Sequence, residues 1–262
     1  MKKVFKSLLT ALLFAFVIAA LSGLGAVKAS AAELTADLDG DGTDETIVYE
    51  ISEIDDYGMD LTFLTINGKD VLAAGKLEAP FYGDRLEISV VDTCTKDGVK
   101  ELLIAKGVDS MTENYLFRFK SGKVNKYCMV EGDEIVSQKK KSRITVKDYV
   151  FVHGIGNIHT DITYKVKSGR AVYVDEALKP NKKNAKTTFK TNKKVTLYSD
   201  EYVSEEIATL KKGAKIKIVK FVRDGEGNFT RICVKSGKVT GWIDTTDFDY
   251  ADFIIKNPPL WN

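Results

Sequence analysis

The stretch Asp37-Leu38-Asp39-Gly40-Asp41-Gly42-Thr43-Asp44-Glu45 runs straight into Thr46-Ile47-Val48-Tyr49. Its carboxylates alternate around a glycine, and the β-branched and aromatic run behind it reads as a strand. Calcium takes six to eight oxygens at about 2.3–2.6 Å from alternate loop positions, with a glycine at the bend. On that template Asp37, Asp39 and Asp41 take positions one, three and five, Gly42 six, the Thr43 carbonyl seven and Glu45 nine, while Asp44 points away. Position twelve is Val48, where an EF-hand needs a glutamate and a following helix. The loop is therefore flanked by strands, and calcium is the expected cofactor. The alternative is a solvated Asp/Gly turn without a metal, in which three closely spaced aspartates would repel one another.

Working outward, short β-branched and aromatic runs alternate with Gly, Asn and Asp turns, the pattern of antiparallel sheet. The expected fold class is all-β; Asp175-Glu176-Ala177-Leu178 offers at most one helical turn. Three hairpins turn on related sequences, Lys120-Ser121-Gly122-Lys123, Lys167-Ser168-Gly169-Arg170 and Lys235-Ser236-Gly237-Lys238. Glycine supplies the positive φ that such turns need. The opening loop also has an echo. Asp97-Gly98-Val99-Lys100-Glu101 leads into Leu102-Leu103-Ile104-Ala105; aligned on the Asp-Gly pair, Thr95 meets Asp39 and Thr93 meets Asp37. The architecture repeats while most ligands are lost.

These residues resemble the FG-GAP or VCBS repeats, whose Asp-x-Asp-x-Asp-Gly loops lie between strands of propeller-like blades. The resemblance covers about residues 34–174, which leaves room for two or three blades where a closed propeller needs four or more. It implies a small antiparallel domain with partial propeller-like repeats over 32–178. Lys179-Pro180-Asn181-Lys182-Lys183-Asn184-Ala185-Lys186 reads as an exposed linker. Beyond it, Ile207-Ala208-Thr209-Leu210-Lys211-Lys212-Gly213 and Gly241-Trp242-Ile243 resemble the bacterial SH3 family. That likeness implies a small SH3-like β-barrel over 187–250, with Trp242 in or beside its core and Gly213 serving a turn. Val195-Thr196-Leu197-Tyr198-Ser199-Asp200-Glu201 departs from the family, lacking its usual arginine, glycine and proline. Tyr198 and Tyr202, with Phe229, are the candidates for an aromatic platform that stacks on sugar rings or peptides. The tail 251–262 is expected to add a strand or pack on the barrel.

Residues 1–31 read as a signal peptide, with Lys2, Lys3 and Lys6, an apolar stretch from Leu8 to Leu21, and Ala29-Ser30-Ala31 as the cleavage site. Without the leader's four lysines, 35 basic residues stand against 37 acidic ones. That balance gives no reason to expect a nucleic-acid partner, which favours a concentrated positive face. Three cysteines, Cys94, Cys128 and Cys233, are too few for a disulfide scaffold, though a Cys94–Cys128 bridge is open to an exported chain.

Catalytic signatures are scarce. His153 and His159 flank a glycine-rich turn and with Asp161 would suit zinc only if the fold gathers them; Glu53, Asp55, Asp56 and Asp60 crowd one acidic region. The expectation is a secreted or extracellular, non-enzymatic protein with a calcium-stabilised N-terminal domain. Its SH3-like module would contact cell-wall glycan or peptide, or an extracellular protein. The alternative is a wall or glycan hydrolase that uses the module as a targeting arm.

Overall fold

The computed structural model describes residues 31–55, 58–72, 81–108, 111–174, 177–224, 226–248 and 251–260. The leader expected over 1–31 falls almost wholly outside them, as do Asp56, Asp175 and Glu176. The fold is all-β, with antiparallel sheets and no α-helix among the described residues. No helix there is long and apolar enough to cross a membrane.

Three sheets follow chain order. The first contains β1 (Ala32–Ala36), β2 (Glu45–Asp55), β3 (Gly58–Ile66), β4 (Lys69–Asp70) and β5 (Tyr82–Gly83). The second is a meander of β6 (Arg85–Val91), β7 (Glu101–Val108), β8 (Met111–Lys120) and β9 (Lys123–Glu131). The third opens with β10 (Glu134–Val136), β11 (Arg143–Val152), β12 (Gly156–Lys167), β13 (Arg170–Tyr173) and β14 (Ala177–Leu178). It continues through β15 (Phe189–Lys190), β16 (Val195–Tyr198), β17 (Glu206–Leu210), β18 (Lys215–Arg223), β19 (Phe229–Ser236) and β20 (Val239–Asp244).

The middle sheet is covered on both faces. Leu102, Ile104, Phe117 and Phe119 pack with Ile47, Leu64 and Ile66 of the first sheet, whereas Leu103, Leu116, Cys128 and Val130 join the core of the third. That is why β7 reads as an unbroken apolar run instead of an alternation. β12 is covered on one face and alternates strictly, burying Ile158, Ile162, Tyr164 and Val166. Each large apolar side chain so buried contributes roughly 1.5–3 kcal/mol.

The third core runs on without a break into the C-terminal strands, taking in Leu197, Ile216, Phe221, Ile232 and Ile243. Sheet pairing is continuous too, through the Val152–Phe229 bridge and the β14–β18 ladder. Residues 179–186, expected as a linker, are mostly exposed, yet Pro180 bridges Thr160, Asn181 donates to the His159 carbonyl, and Asn184–Lys186 forms a 3-10 turn. Among the described residues β17 pairs with β16 alone. The tail straps both parts together. Thr191 bridges Ile255, Ile254 donates to the Gly154 carbonyl, and Asn157 donates to the Pro259 carbonyl at 2.7 Å.

The three related hairpins divide into two turn types. Ser121-Gly122 and Ser168-Gly169 carry positive φ at both central residues, as a type I′ turn requires. In the third, Ser236 is already paired with Val239, and Gly237 alone has positive φ, the pattern of type II′.

Candidate metal centre

The loop between β1 and β2 is folded around Asp37. Its Oδ1 accepts the Gly40 and Asp41 N–H groups at 2.8 and 3.1 Å, and its Oδ2 accepts Gly42 N–H at 3.0 Å. Gly40 and Gly42 hold φ of 77° and 86°, which lets successive N–H groups turn inward. Glu45, only 5% exposed at the start of β2, reaches back to accept Leu38 N–H at 2.9 Å, while Leu38 itself is fully buried.

This wrapping brings one carboxylate oxygen each of Asp37, Asp39 and Glu45 within 4.8 Å of one another. Asp39 Oδ1 is buried and has no hydrogen-bond partner. Among the described residues no Lys or Arg is ion-paired with any of the three. Three oxygens of hard, anionic character converging around an orphaned acceptor fit a hard cation such as calcium. Of the expected carboxylate ligands, Asp41 falls outside this group. The exposed Asp41 carboxylate accepts the Thr43 N–H at 2.8 Å, and Thr43 is exposed on the outer limb of the loop.

The echo in the second sheet has a related frame, and there a protein cation enters it. Gly98 holds φ of 71°, Cys94 is buried like Leu38, and Glu101, fully buried, accepts Thr93 N–H at 3.1 Å, one position before the equivalent of the Leu38 N–H that Glu45 accepts. Here Arg118 reaches across from β8, where it stands opposite Glu101 in register. Its Nε and one terminal nitrogen donate to Glu101 Oε1 at 2.8 and 2.6 Å, and it pairs with Asp97 at 3.2 Å. Burial works against the guanidinium charge, but Glu101 and then Asp97 outweigh it and hold the Arg118 pKa above its usual value. The two loops touch. Lys100 N–H donates to the Leu38 carbonyl at 3.1 Å, and Gly40 packs directly on the Gly98 carbonyl.

Other sequence candidates are not gathered. His153 and His159 sit four rungs apart on the β11–β12 hairpin, about 13 Å by strand rise, and each ring packs edge-on against an aromatic, Phe151 and Tyr149. The Asp37, Asp39 and Glu45 group is the cluster of three metal-ligating side chains found among the described residues. The three cysteines are unpaired and buried; burial, then the charge of Glu101, pushes the Cys128 thiol up to about 12.

The expected aromatic platform is split. Tyr202 is 82% exposed and lines a cleft of about 790 Å³ with Tyr173, Arg223 and Phe229, the last of them buried at its floor. Tyr198 stands instead opposite Trp242 in the β16–β20 pairing. Trp242 is buried under Lys220, whose ammonium lies 4.7 Å from the ring centroid, and Gly213 turns with φ of 87°.

No protein-family model, curated protein or solved structure matches this chain. The site therefore rests on its own geometry. Arg118 is the functional residue that sequence reading passed over, although a lone arginine in the apolar run Leu116-Phe117-Arg118-Phe119 is itself a signal.

Proposed function

We propose that this is a secreted, non-enzymatic binding protein whose N-terminal β region is steadied by calcium and whose C-terminal strands form an SH3-like module that contacts the cell wall. One observation carries the calcium reading: two loops share a related backbone frame, and the buried glutamate of one is neutralised by Arg118 while its counterpart Glu45 converges with Asp37 and Asp39 and, among the described residues, pairs with no Lys or Arg. A site built that way takes its positive charge from solution. Calcium at extracellular concentration suits an affinity on the order of 10⁻⁴ to 10⁻³ M.

Calcium here is structural. Asp37 and Glu45 each tie the loop to its own backbone, so a cation that neutralises them fixes the entry to β2 and, through the Leu38–Lys100 contact, the loop of the neighbouring sheet. The succession of antiparallel sheets packed face to face supports the likeness to blade repeats. The buried Trp242 and the turn at Gly213 support the SH3-like reading, and the apolar leader supports export.

The test is thermal melting of residues 32–262 in calcium and in chelator, beside sedimentation with purified cell walls. A rise in melting temperature with calcium and co-sedimentation are expected. An unchanged melting temperature sinks the calcium reading, and protein left entirely in the supernatant sinks the wall reading.

A further inference from the structure

The near-neutral total charge conceals a division along the chain. Residues 32–178 carry 18 Lys and Arg against 27 Asp and Glu, whereas residues 179–248 carry 16 against 8. The fold concentrates part of that excess on one sheet face. In β18 the alternation buries Ile216 and Ile218 and sends Lys215 and Lys217 to solvent. The β15–β18 ladder sets Lys190 directly opposite Lys215, and the β18–β19 ladder sets Lys235 directly opposite Lys217. Partners in register project from the same face, so four exposed ammonium groups form two adjoining rungs. Lys211 in the preceding turn is exposed as well, and so is Lys256, whose N–H donates to the Lys190 carbonyl.

Like charges directly opposite one another oppose pairing, and here two such pairs lie side by side. Among the described residues none of these lysines has an acidic partner. We infer that this face, along β18, binds a linear extracellular polymer bearing phosphodiester groups. Three observations select that class. Outward residues of one strand are about 6.6 Å apart and neighbouring strands about 4.8 Å, a spread of charge that suits repeated monoanions on a chain. The face is made of lysine, a compact point charge, and lacks the planar arginine fork suited to bidentate carboxylates. Among the described residues, the exposed apolar side chains of β18 and the adjoining β19–β20 hairpin are Val219 and Val239, too little to enter a bilayer. The inference rests on the wall-contact reading above and names the chemistry of the contact.

The test is a titration of the mature chain with synthetic poly(glycerol phosphate) at several salt concentrations. Neutralising four phosphates predicts a slope of log K against log salt near −3, from about −0.7 per contact on a single strand. Lys215→Glu with Lys217→Glu is expected to weaken binding at least tenfold and to halve that slope, while Lys215→Arg with Lys217→Arg retains the affinity. The melting temperature of each variant reports folding. Unchanged affinity in the glutamate variant overturns the proposal. So does tenfold tighter binding to single-stranded DNA of equal charge or to phosphatidylglycerol vesicles. Wall sedimentation separates the two readings: walls that still retain the glutamate variant, with no polymer binding by the wild type, overturn this proposal alone. Polymer binding without wall sedimentation sinks the wall reading alone.

Discussion

Arg118 stands opposite Glu101 across the β7–β8 ladder and grips its carboxylate with two N–H groups at 2.6 and 2.8 Å, Glu101 being wholly buried. Breaking a buried pair by removing one partner costs about 3–5 kcal/mol, because the other charge is left without a counterion. Arg118→Ala is therefore expected to destabilise by about 3 kcal/mol in urea unfolding, and Glu101→Gln placed on top should recover part of that loss. Equal stability of Arg118→Ala and wild type would remove the guanidinium from the role given to it.

Calcium should act through Asp39. At a concentration tenfold above the dissociation constant, a cation bound to the folded state alone adds about 1.4 kcal/mol, or about 3–6 °C in a chain of this size. Asp39→Ala is expected to abolish that shift. In chelator it should melt no lower than wild type, since the variant also removes an orphaned buried acceptor.

Gly40 couples the two loops. A methyl group there would sit 2.5 Å from the Gly98 carbonyl oxygen, at a φ of 77° that costs an L-residue about 1–2 kcal/mol. Gly40→Ala should lower the melting temperature and weaken calcium binding together. Calorimetric titration that finds wild-type calcium affinity in the variant would uncouple loop packing from the metal.

Asp148 sets a pH dependence. It lies half-buried on β11; burial, then the nearby Asp133 and Glu131, pushes its carboxyl up to about 6 despite the Tyr149 N–H and Arg223. A folded-state pKa above the unfolded value of about 4 means that the folded state binds the proton more tightly. The associated stability is full below about pH 4 and is lost as pH rises through 6. Asp148→Asn should flatten that decline in chemical denaturation between pH 4 and 7. A wild-type slope in the variant would assign it to other groups.

The thiols should be silent in the native state. Cys94, Cys128 and Cys233 are buried and unpaired, and burial raises the pKa of the last two. A maleimide reagent is expected to label none of them in minutes at pH 7 and all three in denaturant without reductant. Labelling of a single cysteine in denaturant would indicate a bridge.

How much of this was legible in the chain varies with the range of the interaction. The turns at Gly122 and Gly169 and the strand after Glu45 depend on neighbours within a few residues, and they read correctly from spacing. The hairpin at Gly237 did not. Its Lys-Ser-Gly-Lys matches the other two, yet the ladder from Arg231–Asp244 to Ser236–Val239 sets the register and moves the turn by one residue.

By itself the sequence determined the all-β class, the carboxylate spacing and the repeat, because hydrophobic period and turn chemistry are local properties of the chain. Only the tertiary structure decided that Arg118 neutralises one loop while no Lys or Arg among the described residues pairs with its twin, that Asp39 Oδ1 is left without a partner there, and that Lys190, Lys215, Lys217 and Lys235 share a face. Each of those facts depends on strand register. Register comes from which apolar faces are buried against each other, and charge adds up over space where a total over the sequence cancels.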